Sequence, residues 1–283
     1  MISIVIPAHN EEQVIARSVQ ILTTGAPDGE LEVIVVCNGC NDRTADVVRR
    51  LGVPVRVIET DVASKVHALN LGDAAATGFP RFFMDADVLL SAESVQRMAL
   101  RLGKGDVLAA SPFVRLNLEN CSWAVRAFYN IARRLPSARE TIGGSGVYAL
   151  SEAGRKRFDR FPQVTGDDAF VRRMFEPHER CAVEGCYSTV TPPTNLGGVI
   201  VIKTRSHFGN YELSRLYPEL SANVGNSNRP ALINIATRPW LWPKLAVYGY
   251  VKVIARLRAL RQLNAGDHKA WERDESSRQV RMP

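Results

Sequence analysis

The chain has 283 residues, 46% hydrophobic and 23% charged, values that exclude a disordered protein, a collagen-like repeat and a coiled coil. Its 36 Lys plus Arg against 29 Asp plus Glu give a formal charge of +7. The excess is local: residues 1–200 carry 22 basic and 23 acidic side chains (net −1), residues 201–283 carry 14 and 6 (net +8). A neutral body with a cationic end excludes a uniformly basic nucleic-acid binder and points to phosphates or a lipid surface.

Met1-Ile-Ser-Ile-Val-Ile-Pro7 enters a strand at once, without a basic leader or a small-residue cleavage site, which predicts a cytoplasmic protein with reduced thiols. The five cysteines include Cys37-x-x-Cys40, the spacing of a zinc or redox pair that Cys181 and Cys186 could complete. Against that reading, the pair flanks Asn38-Gly39 in a polar loop and no second C-x-x-C follows.

Strands are predicted at Ile2–Ile6, Leu31–Val36, Val55–Ile58, Arg81–Met84 and Val107–Ala110, each a short apolar run bounded by turn residues. Between them, Val14, Ile15, Val19 and Leu22 repeat on one helical face, as do Val95, Met98, Ala99 and Leu102. Strands alternating with helices of this length predict βαβ units and a mostly parallel sheet, whose ligands bind beyond the carboxyl ends of the strands. Further along, Cys121–Leu135 and Asp168–Phe175 read as helices, Gly143-Gly-Ser-Gly146 as a loop, and Leu245–Leu263 as a long helix. No stretch reaches the roughly 18 apolar residues of a spanning helix.

Polar clusters follow the strands: Pro7-Ala-His-Asn10-Glu11-Glu12, Cys37-Asn38-Gly39-Cys40-Asn41-Asp42 and Asp85-Ala86-Asp87. Each has a simpler role in capping or turning, but together they describe one acidic, amide-rich rim. Two carboxylates on one turn repel unless they share a cation. Oxygen-only ligands select Mg²⁺ or Mn²⁺, with water and substrate phosphates completing the shell.

The segments Ile4–Glu12, Val33–Thr44, Lys65-x-x-Ala68-Leu-Asn70-x-Gly72 and Asp85-Ala-Asp87, in this order, resemble a family 2 glycosyltransferase of GT-A fold over roughly residues 1–210. The resemblance implies an α/β, Rossmann-like catalytic domain at 1–210 and a basic, mostly helical C-terminal extension at 211–283. It also implies transfer of a sugar, of hexosyl class, from a nucleotide-sugar donor to an acceptor hydroxyl, with inversion. By the same resemblance Pro7, Ala8 and Glu11 line the nucleoside pocket. Asn38 stands where the family commonly has an aspartate that reads the base, and Lys65 approaches the nucleotide. Asp85 and Asp87 hold the ribose and the metal-bound diphosphate. Asp167-Asp168 resembles the family's acidic pair, with Asp168 as the base and Asp167 second to it; the simpler reading is a helix cap. Arg205 is implied as a diphosphate contact and His207 as a third metal ligand.

In the long helix, Ala246, Val247, Tyr250, Val253, Ile254, Leu257 and Leu260 fit one apolar face, with Lys252 and Arg256 opposite, Arg261 intruding and Trp240, Trp242 and Lys244 just upstream. Two readings stay open. The helix lies on an anionic membrane, as a lipid-linked or envelope acceptor would suit, or it packs on the catalytic domain. The competing functions are a scaffold that binds membrane or polyanion without catalysis and a dinucleotide-dependent oxidoreductase. The latter lacks G-x-G-x-x-G after the first strand.

Overall fold

The computed structural model describes residues 1–139, 142–223 and 227–265, so the end of the basic extension, residues 266–283, lies outside the described residues. By its contacts the chain forms two compact units that do not follow chain order. The first comprises Met1–Leu116, Thr141–Gln163 and Met174–Val190; the second comprises Asn117–Glu140, Val164–Arg173 and Thr191–Pro283. A boundary at residue 210, expected from sequence, would fall inside a continuous helix, Leu196–Leu216.

The first unit is built on an eight-stranded sheet. Its strands are β1 (Ile2–Ala8), β2 (Leu31–Asn38), β3 (Val55–Thr60), β4 (Arg81–Met84), β5 (Leu89–Leu90), β6 (Ala109–Leu116), β7 (Val147–Leu150) and β8 (Arg180–Val190), in the order β3-β2-β1-β4-β7-β6-β8-β5. The pairs β1–β2, β1–β4, β2–β3 and β6–β8 are parallel; β7 runs antiparallel to β4 and β6, as β5 does to β8. Every residue of β1 is buried, as a central parallel strand covered on both faces requires.

The helices of this unit are α1 (Ile15–Thr23), α2 (Thr44–Arg49), α3 (Lys65–Ala75), α4 (Ala92–Gly103) and the short α6 (Glu152–Arg155). In α1 the residues Ile15, Ser18, Val19 and Leu22 turn inward, close to the predicted face. Helix α3 is capped by Ser64, whose Oγ accepts from the His67 amide (3.2 Å), and this makes Lys65 the first helical residue. Farther along, Gly72 lets α3 meet β1: a Cβ there would overlap a Val5 methyl.

Asp73, near the end of α3, is buried between two buried arginines. Arg81 reaches its Oδ1 at 2.8 Å and Arg155 reaches its Oδ2 at 2.6 Å. Removing the carboxylate would leave two guanidiniums desolvated without their anion. Asp73→Ala is therefore expected to lower unfolding stability by about 3–5 kcal/mol, read as a fall in the urea midpoint. An unchanged midpoint would show that the triad is dispensable.

The second unit is helical: α5 (Trp123–Ala132), α7 (Asp167–Met174), α8 (Leu196–Leu216), α9 (Arg229–Ala236) and α10 (Trp242–Ala265). Helices α5, α8 and α10 share a core that includes Val125, Phe128, Ile131, Val199, Tyr248 and Val251, with the Phe128 and Tyr248 rings stacked 5.4 Å apart. Helix α10 buries Tyr248, Val251, Ala255 and Ala259. The apolar face predicted from sequence is a different one, and most of it is exposed. No helix among the described residues is long and apolar enough to cross a membrane.

Candidate functional site

In the first unit the carboxyl ends of β1 and β2 are stitched together. The Glu11 amide donates to Thr44 Oγ1 (2.8 Å), the Glu12 amide to Asp42 Oδ2 (3.1 Å) and the Asn41 amide to Asn10 Oδ1 (2.8 Å). His9 Nδ1 lies 2.6 Å from the Asn38 carbonyl, which can only accept, so Nδ1 carries the proton. Pro7 and Ala8 are buried in β1, and Glu11 is buried just beyond its end.

Asn38 is 2% exposed. In the orientation that satisfies its amide, the nitrogen donates to the Ala8 carbonyl (2.9 Å) and the oxygen accepts from the Ser64 amide (3.3 Å). An aspartate here would turn a carboxylate oxygen toward that carbonyl, which gives a local reason for asparagine. The side chain braces β1 against the turn that begins α3. Gly39, at φ +58°, continues the brace, since a Cβ would collide with Ala63.

Cys37 and Cys40 form a thiol pair. A hydrogen bond from Cys37, helped by the Asn10 amide at 3.4 Å, lowers the Cys40 pKa to about 6, while Cys37 is raised by the same bond and by burial. Among the described residues no group of three or more His, Cys, Asp or Glu could hold a metal, so a zinc site completed by Cys181 and Cys186 is not formed there.

Asp85 and Asp87 follow β4 directly, both half-buried. Lys65 Nζ sits 2.7 Å from Asp85 Oδ1. The Asp85 amide donates to the Gly146 carbonyl (2.8 Å), and Gly146 takes φ +64° where a side chain would strike Val88. Ser188 Oγ donates to the Ser145 carbonyl (2.9 Å). The end of the glycine loop thus buttresses the acidic turn. The glycines of that loop are visible in the sequence, but the contact with Asp85 has no local signature.

In the second unit Asp167 and Asp168 open α7. Asp167 is buried (5% exposed), whereas Asp168 is half-buried and its Oδ1 accepts from the Ala169 amide (2.7 Å). The turn before α7 is clamped to α8. The Thr165 amide donates to Glu212 Oε2 (2.7 Å), Arg173 donates to Asn210 Oδ1 (2.9 Å), and Gly209 allows close approach to Gly166.

Lys203 and His207 stand one turn apart on α8, while Arg205 is exposed two residues from each and so projects from the other side. Lys203 keeps some exposed surface, yet desolvation, reinforced by Lys252, lowers its pKa to about 8; Asp168 opposes that shift as its counter-charge. Burial, with Lys252, Lys203 and Arg256, pulls His207 down to about 4, so its ring is neutral at pH 7. Its Nε2 is buried and has no hydrogen-bond partner among the described residues. Sequence reasoning stressed Arg205 and passed over Lys203 as a neighbour of the candidate base. The i, i+4 spacing of Lys203 and His207 would have been the signal once residues 196–216 were read as one helix.

The glycosyl transferase family 2 profile matches residues 3–158, more than half of the chain. The chain belongs to that family. A probable glycosyltransferase YdaM of Bacillus subtilis (strain 168) is 34% identical over 182 residues, covering 61% of this chain and 40% of the relative. The 4,4'-diaponeurosporenoate glycosyltransferase of Staphylococcus haemolyticus is 34% identical over 97 residues, 32% of this chain and 25% of that protein. The chain therefore spans well under half the length of these relatives. Among solved structures, mannosyltransferase PcManGT from Pyrobaculum calidifontis, in complex with GDP-Man and Mn²⁺, superposes with a TM-score of 0.61 at 20% identity, over 94% of this chain and 75% of that one. Glucosyl-3-phosphoglycerate synthase from Mycobacterium tuberculosis, with Mg²⁺ and UDP, gives 0.53 at 20% identity over 76% and 79%. At these identities the likeness establishes the GT-A fold of this family 2 member. Membership in the family leaves no place for the dinucleotide-dependent oxidoreductase.

Proposed function

We propose that this family 2 member transfers a sugar, of hexosyl class, from a nucleoside-diphosphate donor to an acceptor hydroxyl, with inversion and with a divalent metal. The observation that carries the reading is Asp85-x-Asp87 at the carboxyl end of β4, braced by Gly146 and paired with Lys65, in a chain that matches the family profile.

The donor set suits Mg²⁺ or Mn²⁺. Asp85 and Asp87 offer only oxygen, and the described residues gather no third protein ligand around them, which leaves coordination sites for phosphate oxygens and water. When bound, the metal would act as a Lewis acid on the charge that builds on the departing diphosphate. Lys65 adds a second positive charge beside Asp85. Pro7, Ala8 and Glu11 border the nucleoside; Asn38 acts as a brace rather than as the reader of the base. Asp168, oriented by its bond to the Ala169 amide, takes the acceptor hydroxyl's proton as the oxygen attacks the anomeric carbon. Attack opposite the leaving diphosphate inverts that centre. Lys203 places a positive charge near Asp168. His207, ringed by Lys203, Lys252 and Arg256, suits a neutral hydrogen-bonding role toward an anionic group better than an isolated cation.

A panel of uridine and guanosine diphosphate sugars, incubated with the full chain and Mn²⁺, tests this reading. One or more should slowly release nucleoside diphosphate to water. Neither release nor binding from any donor would favour the non-catalytic scaffold.

A further inference from the structure

Helix α10 has two apolar faces, and among the described residues only one is packed. Tyr248, Val251, Ala255 and Ala259 pack inward. On the other side Trp242, Ala246, Tyr250, Val253, Leu257 and Leu260 are all exposed, at spacings of four, four, three, four and three residues. At 100° per residue they form a single stripe along a helix about 36 Å long. Trp242 is 58% exposed, Tyr250 55%, Val253 57% and Leu257 48%, too many large groups on one line for incidental surface.

Charge identifies what this stripe fits. On the same wheel Arg258 and Arg261 fall along one flank of the stripe and Lys252 and Arg256 along the other. Between Glu219 and Asp267 the chain has seven Lys or Arg and no acidic residue. The basic and aromatic surface continues past the start of the helix. Trp240 is 72% exposed, and Lys244 lines an open cleft of about 560 Å³ with Trp123, Arg126, Arg133 and a single acidic residue, Glu119. A protein partner would favour a mixed-sign rim. Cations on both sides of an unbroken apolar line instead match the boundary of an anionic lipid leaflet.

We infer that the exposed face of α10, with Trp240 and Trp242, docks on an anionic membrane surface with the helix lying in the interface. The apolar stripe enters the headgroup boundary, while Arg258 and Arg261 remain at phosphate level. The inference stands apart from the proposed sugar transfer, because neither the stripe residues nor Arg258 and Arg261 have been given a part in it.

Co-sedimentation of the full chain with vesicles of phosphatidylcholine, alone or mixed with phosphatidylglycerol, tests it. Binding is expected to the mixed vesicles only and to weaken as salt is raised. Arg258→Gln with Arg261→Gln should reduce partitioning roughly tenfold or more. Tyr250→Ser with Leu257→Ser should reduce it by a similar factor with an unchanged melting temperature. If that pair fails to fold, the arginine pair, exposed and outside the core, still decides the matter. Equal binding to neutral vesicles, no binding to either, or wild-type binding by the variants would overturn the inference. So would a stable dimer that only the stripe variants dissociate, since the occupant would then be a second copy of the chain.

Discussion

An Asp168→Asn protein is expected to bind its donor as the parent does and to transfer sugar at least roughly 10²-fold more slowly, the usual contribution of a positioned general base. The substitution separates the proposed base role from a backbone contact made by the same side chain. Asp168 Oδ1 accepts from the Ala169 amide, and an asparagine oxygen can do the same, so the start of α7 survives. The basicity does not survive. Asp167→Asn should behave differently: Asp167 is buried, so its replacement should act mainly on stability, read as a lower melting temperature with a smaller loss of rate. Full transfer by Asp168→Asn, with donor saturating, would assign the base elsewhere.

The second large effect is expected at the acidic turn. Asp87→Asn removes one of the two proposed oxygen ligands and should lower metal-dependent transfer by roughly 10²- to 10³-fold, the equivalent of several kcal/mol of Lewis-acid stabilisation. Asp85→Asn removes a proposed ligand and also breaks the 2.7 Å ion pair with Lys65, so donor binding should fall together with transfer. Gly146 supports the turn at Asp85. A β-carbon there would strike Val88 and push on the turn from behind.

Much of the first unit could be read from the chain because its strands carry strong local signals. Ile2–Ala8 is apolar but for Ser3, and Arg81–Met84 begins and ends where the sequence places it. The acidic turn after β4 was legible for the same reason, since a buried run followed by D-x-D fixes where the carboxylates emerge. Strand β8 was not legible. Its eleven residues include Gly185 and alternate irregularly, and its place beside β6 is set by pairing across about seventy residues of chain. The apolar run Val199–Ile202 is β-branched, yet it lies in α8 because Asn195 caps that helix, accepting from the Gly198 amide at 3.0 Å. Pairing and packing across the chain overrode local propensity there.

Helix α10 shows a different limit. Periodicity located an apolar face but could not say which of two would be buried. The fold uses Ala255 and Ala259, whose small side chains let the helix pack closely on α8 and α5, and leaves the bulkier stripe outside. The near-neutral charge of residues 1–200 likewise conceals local order. Asp73 is matched to two arginines and Asp85 to Lys65, while Asp168 is the counter-charge to Lys203.

The central claim is a nucleoside-diphosphate site that depends on a divalent metal at Asp85 and Asp87. Thermal unfolding of the wild-type chain and of Asp87→Asn, each with UDP or GDP and with or without Mn²⁺, tests it most directly, because a ligand that binds only the folded state raises the melting temperature. The wild type should show a rise with nucleotide and Mn²⁺ together that exceeds the sum of the separate rises, and Asp87→Asn should lose that excess. An equal rise without metal, or an undiminished excess in the variant, would contradict the claim.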